Sequence, residues 1–337
     1  MSTRGLLGCD EALATRYDLA LVDLDGVAYR GHEPIDGAAA GLAGARAAGM
    51  RLVFVTNNAS REPEAVADQL TGLDIPTRPD EVMTAAQAAA ELLSSRVPAG
   101  EPVLVVGGAG LHTAVVAKGY RVVTSADDRP VAVVQGYAAD LGWTQLAEAA
   151  YAVQRGAWHV ASNLDLSLPT ARGFAPGNGA LVGAVRAATG VEPASAGKPS
   201  PTMYHLAVER AGARRPLVVG DRLDTDLAGA RAGDLPGLHV LTGVSTARDA
   251  VLAAPGERPH YLAADLLALL EPHPEPVRED GWWTCRGAAA RVVDGALELR
   301  GEPADPVDTV RAACAAAWDA VDHGAVVDPA QVPDLGV

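Results

Sequence analysis

Residues Leu19 to Gly31 read LALVDLDGVAYRG. Leu19, Ala20, Leu21 and Val22 form an apolar run, the pattern of a strand end buried on both faces. Asp23 and Asp25 follow. Residues two apart in an extended chain face the same side, roughly 6–7 Å from each other. Gly26 comes next, as expected where the backbone must leave the sheet and let a ligand approach. Two carboxylates at the end of a buried strand are costly unless a charged group lies between them. A divalent cation is the simplest such group. The plainer alternative is a β-turn that happens to contain two Asp.

Four later stretches weigh against coincidence. Leu52-Val53-Phe54-Val55 is a second apolar run, ending in Thr56-Asn57-Asn58. Leu217-Val218-Val219 ends in Gly220-Asp221, with Asp224 and Asp226 just beyond. His239-Val240-Leu241 ends in Thr242-Gly243, and Lys198 lies in AGKPSP before a helical stretch. Open α/β sheets bind ligands outside the carboxyl ends of their strands. Asp23, Asp25, Thr56 and Asp221 are therefore expected to converge. Their chemistry is phosphoryl transfer through an aspartyl-phosphate.

In this order and setting, DLDGVAYRG, TNNASR, a long insertion, GKPSPTMY and GDRLDTD resemble the haloacid-dehalogenase superfamily of phosphatases, and within it the class IIA, p-nitrophenylphosphatase-like branch. The resemblance runs from about Tyr17 to Leu270 and lies nearest the glycerol-3-phosphate and phosphoglycolate phosphatases. It implies a Rossmann-like parallel-sheet α/β core with an inserted α/β cap. The expected divisions are residues 14–85 and 193–271 for the core, 86–192 for the cap, and 276–337 for a small C-terminal α+β appendage.

The resemblance also assigns roles. Asp23 is the nucleophile. Asp25 is the general acid, then the base that activates water. Magnesium is held by Asp23, the backbone carbonyl of Asp25 and Asp221, with water completing the octahedron. Thr56 and the backbone amides of Asn57 and Asn58 cradle the phosphoryl oxygens. Lys198 offsets charge between Asp23 and the phosphate. Asp226 orients Lys198 or a metal-bound water, and Asp224 reads as a helix-cap acid. In the cap, Asn163, Asp165, Arg172 and Asn178 lie on loops that can face the substrate; solvated loops are the plainer reading. His159 and His112 read as structural or surface residues.

Composition bounds the remaining choices. The formal net charge is −15, which argues against a nucleic-acid partner. An acidic chain that takes a phosphate must invert its field locally, and a metal with a lysine does so. Of 27 basic residues, only Lys118 and Lys198 are lysine, so Lys198 marks a place where a compact ammonium is wanted. Cys9, Cys285 and Cys314 are widely spaced, which reads as free thiols in a reducing compartment. No apolar stretch reaches membrane-spanning length, and the N-terminal residues do not read as a signal peptide. A cytoplasmic enzyme of glycerophospholipid metabolism is expected, with no membrane partner.

The coarse pattern predicts a loop over Pro169 to Gly177, a Pro-rich linker over Glu271 to Glu279, and disorder over the last ten residues, DPAQVPDLGV. Asp294-Gly295 reads as a hairpin turn. The appendage has no assignable chemistry; packing or homodimer contact is its expected role. A chain ending near Leu270 is expected to keep its chemistry, with solubility or dimerisation the properties at risk. A dehalogenase would lack the second Asp of DxD, and a silent binding protein would have lost Asp23, Asp25, Lys198 or Asp221. The expected substrate is a small phosphorylated polyol or hydroxy acid, glycerol 3-phosphate ahead of phosphoglycolate or pyridoxal phosphate. SNLDLSLP and ARGFAPGNG supply donors and acceptors for hydroxyls but a single Arg.

Overall fold

The computed structural model describes residues 5–170 and 172–337; the first four residues and Ala171 of ARGFAPGNG lie outside the described residues. The chain divides into two compact units, Met1–Phe54 with Leu73–Ile75 and Val208–Val337, and Val55–Gly72 with Pro76–Ala207.

The first unit holds a parallel sheet in the order Tyr261–Ala263, Gly237–Val240, Pro216–Gly220, Leu19–Val22, and then residues 51–54 of strand Arg51–Thr56. Every residue of Leu19–Val22 is buried, as its uninterrupted apolar run requires in a sheet covered on both faces. Leu19–Val22 pairs in parallel with Pro216–Gly220, Val22 opposite Val219. The Asp23 N–H donates to Val219 O at 2.9 Å. Parallel pairing brings two carboxyl ends to one edge, so Asp23 and Asp221 leave the sheet together.

The second unit has its own five-stranded parallel sheet, ordered Ala194–Ser195, Trp158–Ala161, Ala132–Gln135, Pro102–Val106, Arg121–Val123. The loop expected over Pro169 to Gly177 is instead largely an antiparallel hairpin, Ser167–Thr170 against Gly173–Pro176. A proline in each strand hid it; a two-stranded ribbon tolerates them because each strand has an edge free of ladder bonds.

In the first unit, Val277–Glu279, Trp282–Cys285, Ala288–Val293 and Ala296–Arg300 form a four-stranded antiparallel meander. Asp294 and Gly295 turn it with φ of 49° and 84°, the signature of a tight hairpin. Helix Val307–Asp322 covers one face. Its buried side chains share one apolar cluster with Leu223, Leu227, Ala250, Val251 and Leu262 of the parallel-sheet core. Arg311 donates from Nε and Nη2 to Leu262 O at 3.1 and 2.8 Å. Buried Arg258 pairs with Asp322 at 2.9 Å.

Two expectations are corrected here. Residues 271–279 are not a free linker, because His273 is buried and exchanges backbone hydrogen bonds of 2.8 Å with Cys9. Residues 328–337 are not disordered: Asp328 caps the turn Pro329–Gln331, and Val332 and Leu335 enter the apolar cluster. Polar composition concealed two apolar anchors in that tail.

Cys9, Cys285 and Cys314 are free and buried. Burial pushes the Cys285 thiol up to about 12 and the Cys314 thiol upward as well, so neither is a ready nucleophile. No helix among the described residues is long and apolar enough to cross a membrane.

Burial lowers His159, His260 and His273 to about 4; Arg231 adds to the effect at His260, and Arg311 and Arg286 at His273. The unfolded chain binds protons near pH 6.5, where the folded chain leaves these rings neutral. Stability is therefore full above pH 6.5, falls as pH drops toward 4, and levels off below. Each such ring contributes at most about 1.4 kcal/mol per pH unit in that window. The urea midpoint is expected to fall steadily from pH 7 to pH 5; a flat midpoint would contradict the neutral assignment.

Candidate active site

The site is built first from the first unit. Asp23 follows Leu19–Val22 and is partly exposed, while Asp221 and Asp226 are buried. One carboxylate oxygen of each lies within 4.8 Å of the others. Like charges this close and this dry favour either protonation or a bound cation.

The surrounding backbone is shaped around Asp221. A Cβ built on Gly26, whose φ is +93°, would lie 2.5 Å from Asp221 Oδ2; one on Gly243 would lie 1.9 Å from the same oxygen. Any side chain at either position would displace the carboxylate. Val244 N–H donates to Asp221 Oδ2 at 2.6 Å, and Ser245 N–H to Asp221 O at 3.2 Å. His239 Nε2 also lies 3.2 Å from Asp221 O, and burial lowers that imidazole to about 4. Asp226 Oδ2 accepts from Arg222 N–H at 3.2 Å. Thr242 Oγ1 donates to Gly26 O at 2.6 Å, and Arg30 Nη2 donates to Thr242 O at 2.7 Å. The turn after Asp25 is thus tied to the turn that holds Asp221.

Asp25 stands apart from the three carboxylates. It is exposed, and its Oδ1 accepts from Gly31 N–H at 3.3 Å. A carboxyl group in that position can exchange protons with solvent and a leaving group without being tied to a cation. Asp224 is exposed and paired with Arg222 at 2.6 Å, which holds its carboxyl below the usual range.

The second unit carries the remaining candidates. Asn57 ties three segments together: Nδ2 donates to Asp165 Oδ2 at 3.1 Å and Lys198 O at 3.2 Å, and Oδ1 accepts from Lys198 N–H at 2.9 Å. Asn163 Nδ2 donates to Asn57 O at 2.7 Å. Lys198 is buried, and its Nζ donates to Val55 O at 3.3 Å. The Asn58 N–H donates to Thr56 Oγ1 at 3.1 Å, so this amide is engaged in its own turn rather than presented to a ligand. Lys118, the other lysine, pairs with Glu91.

The support for Asn178 as a substrate contact falls away. It is the first residue of helix Asn178–Thr189, is 2 % exposed, and donates to Asn163 O at 2.8 Å. In the sequence the position reads as part of a loop able to face the substrate; the amide instead closes a buried helix start. Arg172 is exposed, and Asp165 is partly exposed. Sequence reasoning left Thr242-Gly243 without a role and gave Asp226 only a supporting one. Their signal was a Thr-Gly pair at a strand end and a second Asp beyond Asp221, but the contacts that define them are non-local.

Family models match this chain in three places: a haloacid dehalogenase-like hydrolase over residues 20–121, a HAD-hydrolase-like model over 195–269, and a GCN5-related N-acetyltransferase-like domain over 285–333. A D-glycerol 3-phosphate phosphatase of Mycobacterium tuberculosis is 44% identical over 318 residues, 92% of this chain and 88% of that protein. A crystal structure of a glycerol phosphate phosphatase from M. tuberculosis in complex with magnesium superposes with a TM-score of 0.85, at 44% identity, covering 92% of each chain. A thermostable NPPase double mutant from Geobacillus stearothermophilus gives a TM-score of 0.68 at 35% identity, over 75% of this chain and 98% of that one.

Proposed function

We propose a function for this chain, which belongs to the haloacid dehalogenase-like hydrolases: it is a magnesium-dependent phosphatase that hydrolyses a small metabolite phosphomonoester, glycerol 3-phosphate. The observation that carries the reading is the triangle of Asp23, Asp221 and Asp226 carboxylates beside the DxDG turn. Their all-oxygen donors suit a hard divalent ion, and the Gly26 and Gly243 cradle leaves Asp221 room to serve it. Asp23, Asp221 and the backbone carbonyl of Asp25 would hold it, with Asp226 alongside. When bound, magnesium supplies charge that offsets the repulsion between a carboxylate nucleophile and a phosphate.

Asp23 Oδ attacks phosphorus while the bond to the substrate alcohol breaks. Asp25 gives its proton to the departing alkoxide. Asp25 then takes a proton from water, whose oxygen attacks phosphorus. The bond to Asp23 breaks, and phosphate leaves with the nucleophile restored. Thr56, the Asn57 amide and Lys198 are proposed to hold the phosphoryl oxygens. Asp165 and Arg172 are proposed to meet the rest of the substrate.

Support for the substrate is the 44% identity to a D-glycerol 3-phosphate phosphatase and the mixed donors and acceptors on the Asn163–Asp165 segment. Support for a cytoplasmic location is the set of buried free thiols. The test compares kcat/KM for glycerol 3-phosphate, phosphoglycolate and pyridoxal phosphate, with magnesium and with a chelator. Glycerol 3-phosphate is expected to lead by at least about tenfold. Phosphoglycolate or pyridoxal phosphate leading by that margin overturns the substrate. Absence of magnesium-dependent phosphate release from all three, and from p-nitrophenyl phosphate, overturns the phosphatase.

A further inference from the structure

The reaction above uses nothing from the appendage and gives Thr242-Gly243 no chemical step. The structure connects the two. Thr242 to Thr246 form the turn that holds Asp221, through the Val244 and Ser245 N–H groups. Ser245 Oγ also accepts from Leu223 N–H at 3.1 Å, which fixes the turn beside the carboxylate-bearing segment. The turn runs directly into helix Ala247–Val251, capped by Thr246, whose Oγ1 accepts from Asp249 N–H at 3.2 Å.

That helix has only five residues, too few to hold its shape alone. Its position depends on what it rests against, and that is the appendage. Ala247, Ala250 and Val251 pack in the cluster with helix Val307–Asp322. The indole N–H of Trp318 donates to Ala250 O at 3.0 Å. The Trp318 ring is itself held beneath the Arg258 guanidinium, 5.4 Å from the ring centroid. On the exposed side, Arg248 Nη2 donates to Pro329 O in the C-terminal tail.

We propose that the appendage tunes magnesium affinity, with Trp318 and Arg248 as positioning residues that hold helix Ala247–Val251 and thereby the turn that aims the Asp221 carboxylate. This rests on the magnesium reading above. The appendage touches neither substrate nor the reacting atoms. It acts on the metal ligand through one short helix, the Val244 N–H on the Asp221 carboxylate and the Ser245 N–H on the Asp221 backbone carbonyl.

The test is calorimetric titration of magnesium into the full-length protein, beside kcat and KM at saturating magnesium. Trp318→Phe keeps most of the ring and removes the N–H; Arg248→Ala removes an exposed side chain, so folding is not at stake. Both are expected to weaken magnesium binding about three- to tenfold, while kcat at saturating metal stays within about twofold. Trp283→Phe is the control. Its ring packs against the same apolar cluster, but its indole N–H meets Asp319 at 3.4 Å rather than a carbonyl of helix Ala247–Val251. It is expected to lower thermal stability without moving the magnesium Kd.

If the wild type binds magnesium and Arg248→Ala binds it equally well, the proposal is overturned and the phosphatase reading stands. If Trp283→Phe weakens magnesium as much as Trp318→Phe does, the effect is general loosening, and the proposal is again overturned. A wild type that binds no magnesium overturns both readings.

Discussion

Asp23→Asn is expected to leave no measurable turnover, and Asp25→Asn to lose roughly 10²–10⁴-fold in kcat, the usual worth of general acid–base catalysis. The two losses have different physical origins, and magnesium binding separates them. Asp23 shares the carboxylate triangle with Asp221 and Asp226, so its amide variant loses both the nucleophile and a candidate metal ligand. The Asp25 carboxylate stands outside the triangle and is anchored by Gly31 N–H. Its amide variant should bind magnesium within about threefold of wild type, since no charge leaves the metal's immediate surroundings. The leaving group provides a second separation. p-Nitrophenolate departs without a proton, so Asp25→Asn should still release one equivalent of it. Water attack then stalls for want of a base, leaving phosphorylated Asp23. A burst of p-nitrophenol with trapped phosphoenzyme is the expected result. An Asp25→Asn enzyme that keeps more than about a tenth of wild-type activity on glycerol 3-phosphate would show that another group carries the proton.

The part of this site that was legible in the sequence is the part that local rules dictate. Leu19–Val22 is a buried strand because it is apolar throughout, and Asp23 must emerge where that run stops. Asp221 follows Pro216–Gly220 in the same way, and parallel pairing sets the two ends side by side. The scarcity of lysine singled out Lys198, which is buried with its ammonium on Val55 O. What local rules do not dictate was missed. A wider π-type turn over Leu223–Leu227 carries Asp226 into the carboxylate group. Gly243 reveals its purpose only when the Asp221 carboxylate is found where a Cβ would be. Helix Val307–Asp322 is rich in alanine, and nothing local says which surface buries it. Its partner proved to be the core itself, and that changes what the last 67 residues are for.

A chain ending at Leu270 is therefore expected to fail to fold, against the expectation from the Pro-rich stretch that the chemistry survives without the appendage. Truncation strips the cover from Leu223, Leu227, Ala250, Val251 and Leu262, which share one cluster with the removed helix and meander. Each large aliphatic side chain returned to water costs about 1.5–3 kcal/mol. Arg258, 1 % exposed, would lose both Asp322 and the Trp318 ring packed against it. Ala250 O and Leu262 O would lose their Trp318 and Arg311 donors. These losses together reach the whole stability of an ordinary domain, about 5–15 kcal/mol. Expression of residues 1–270 should give insoluble protein or a species without a cooperative thermal transition. A soluble monomer that unfolds cooperatively and retains at least a tenth of full-length phosphatase activity would show that the core closes without the appendage. It would also leave helix Ala247–Val251 able to hold the Asp221 turn unaided.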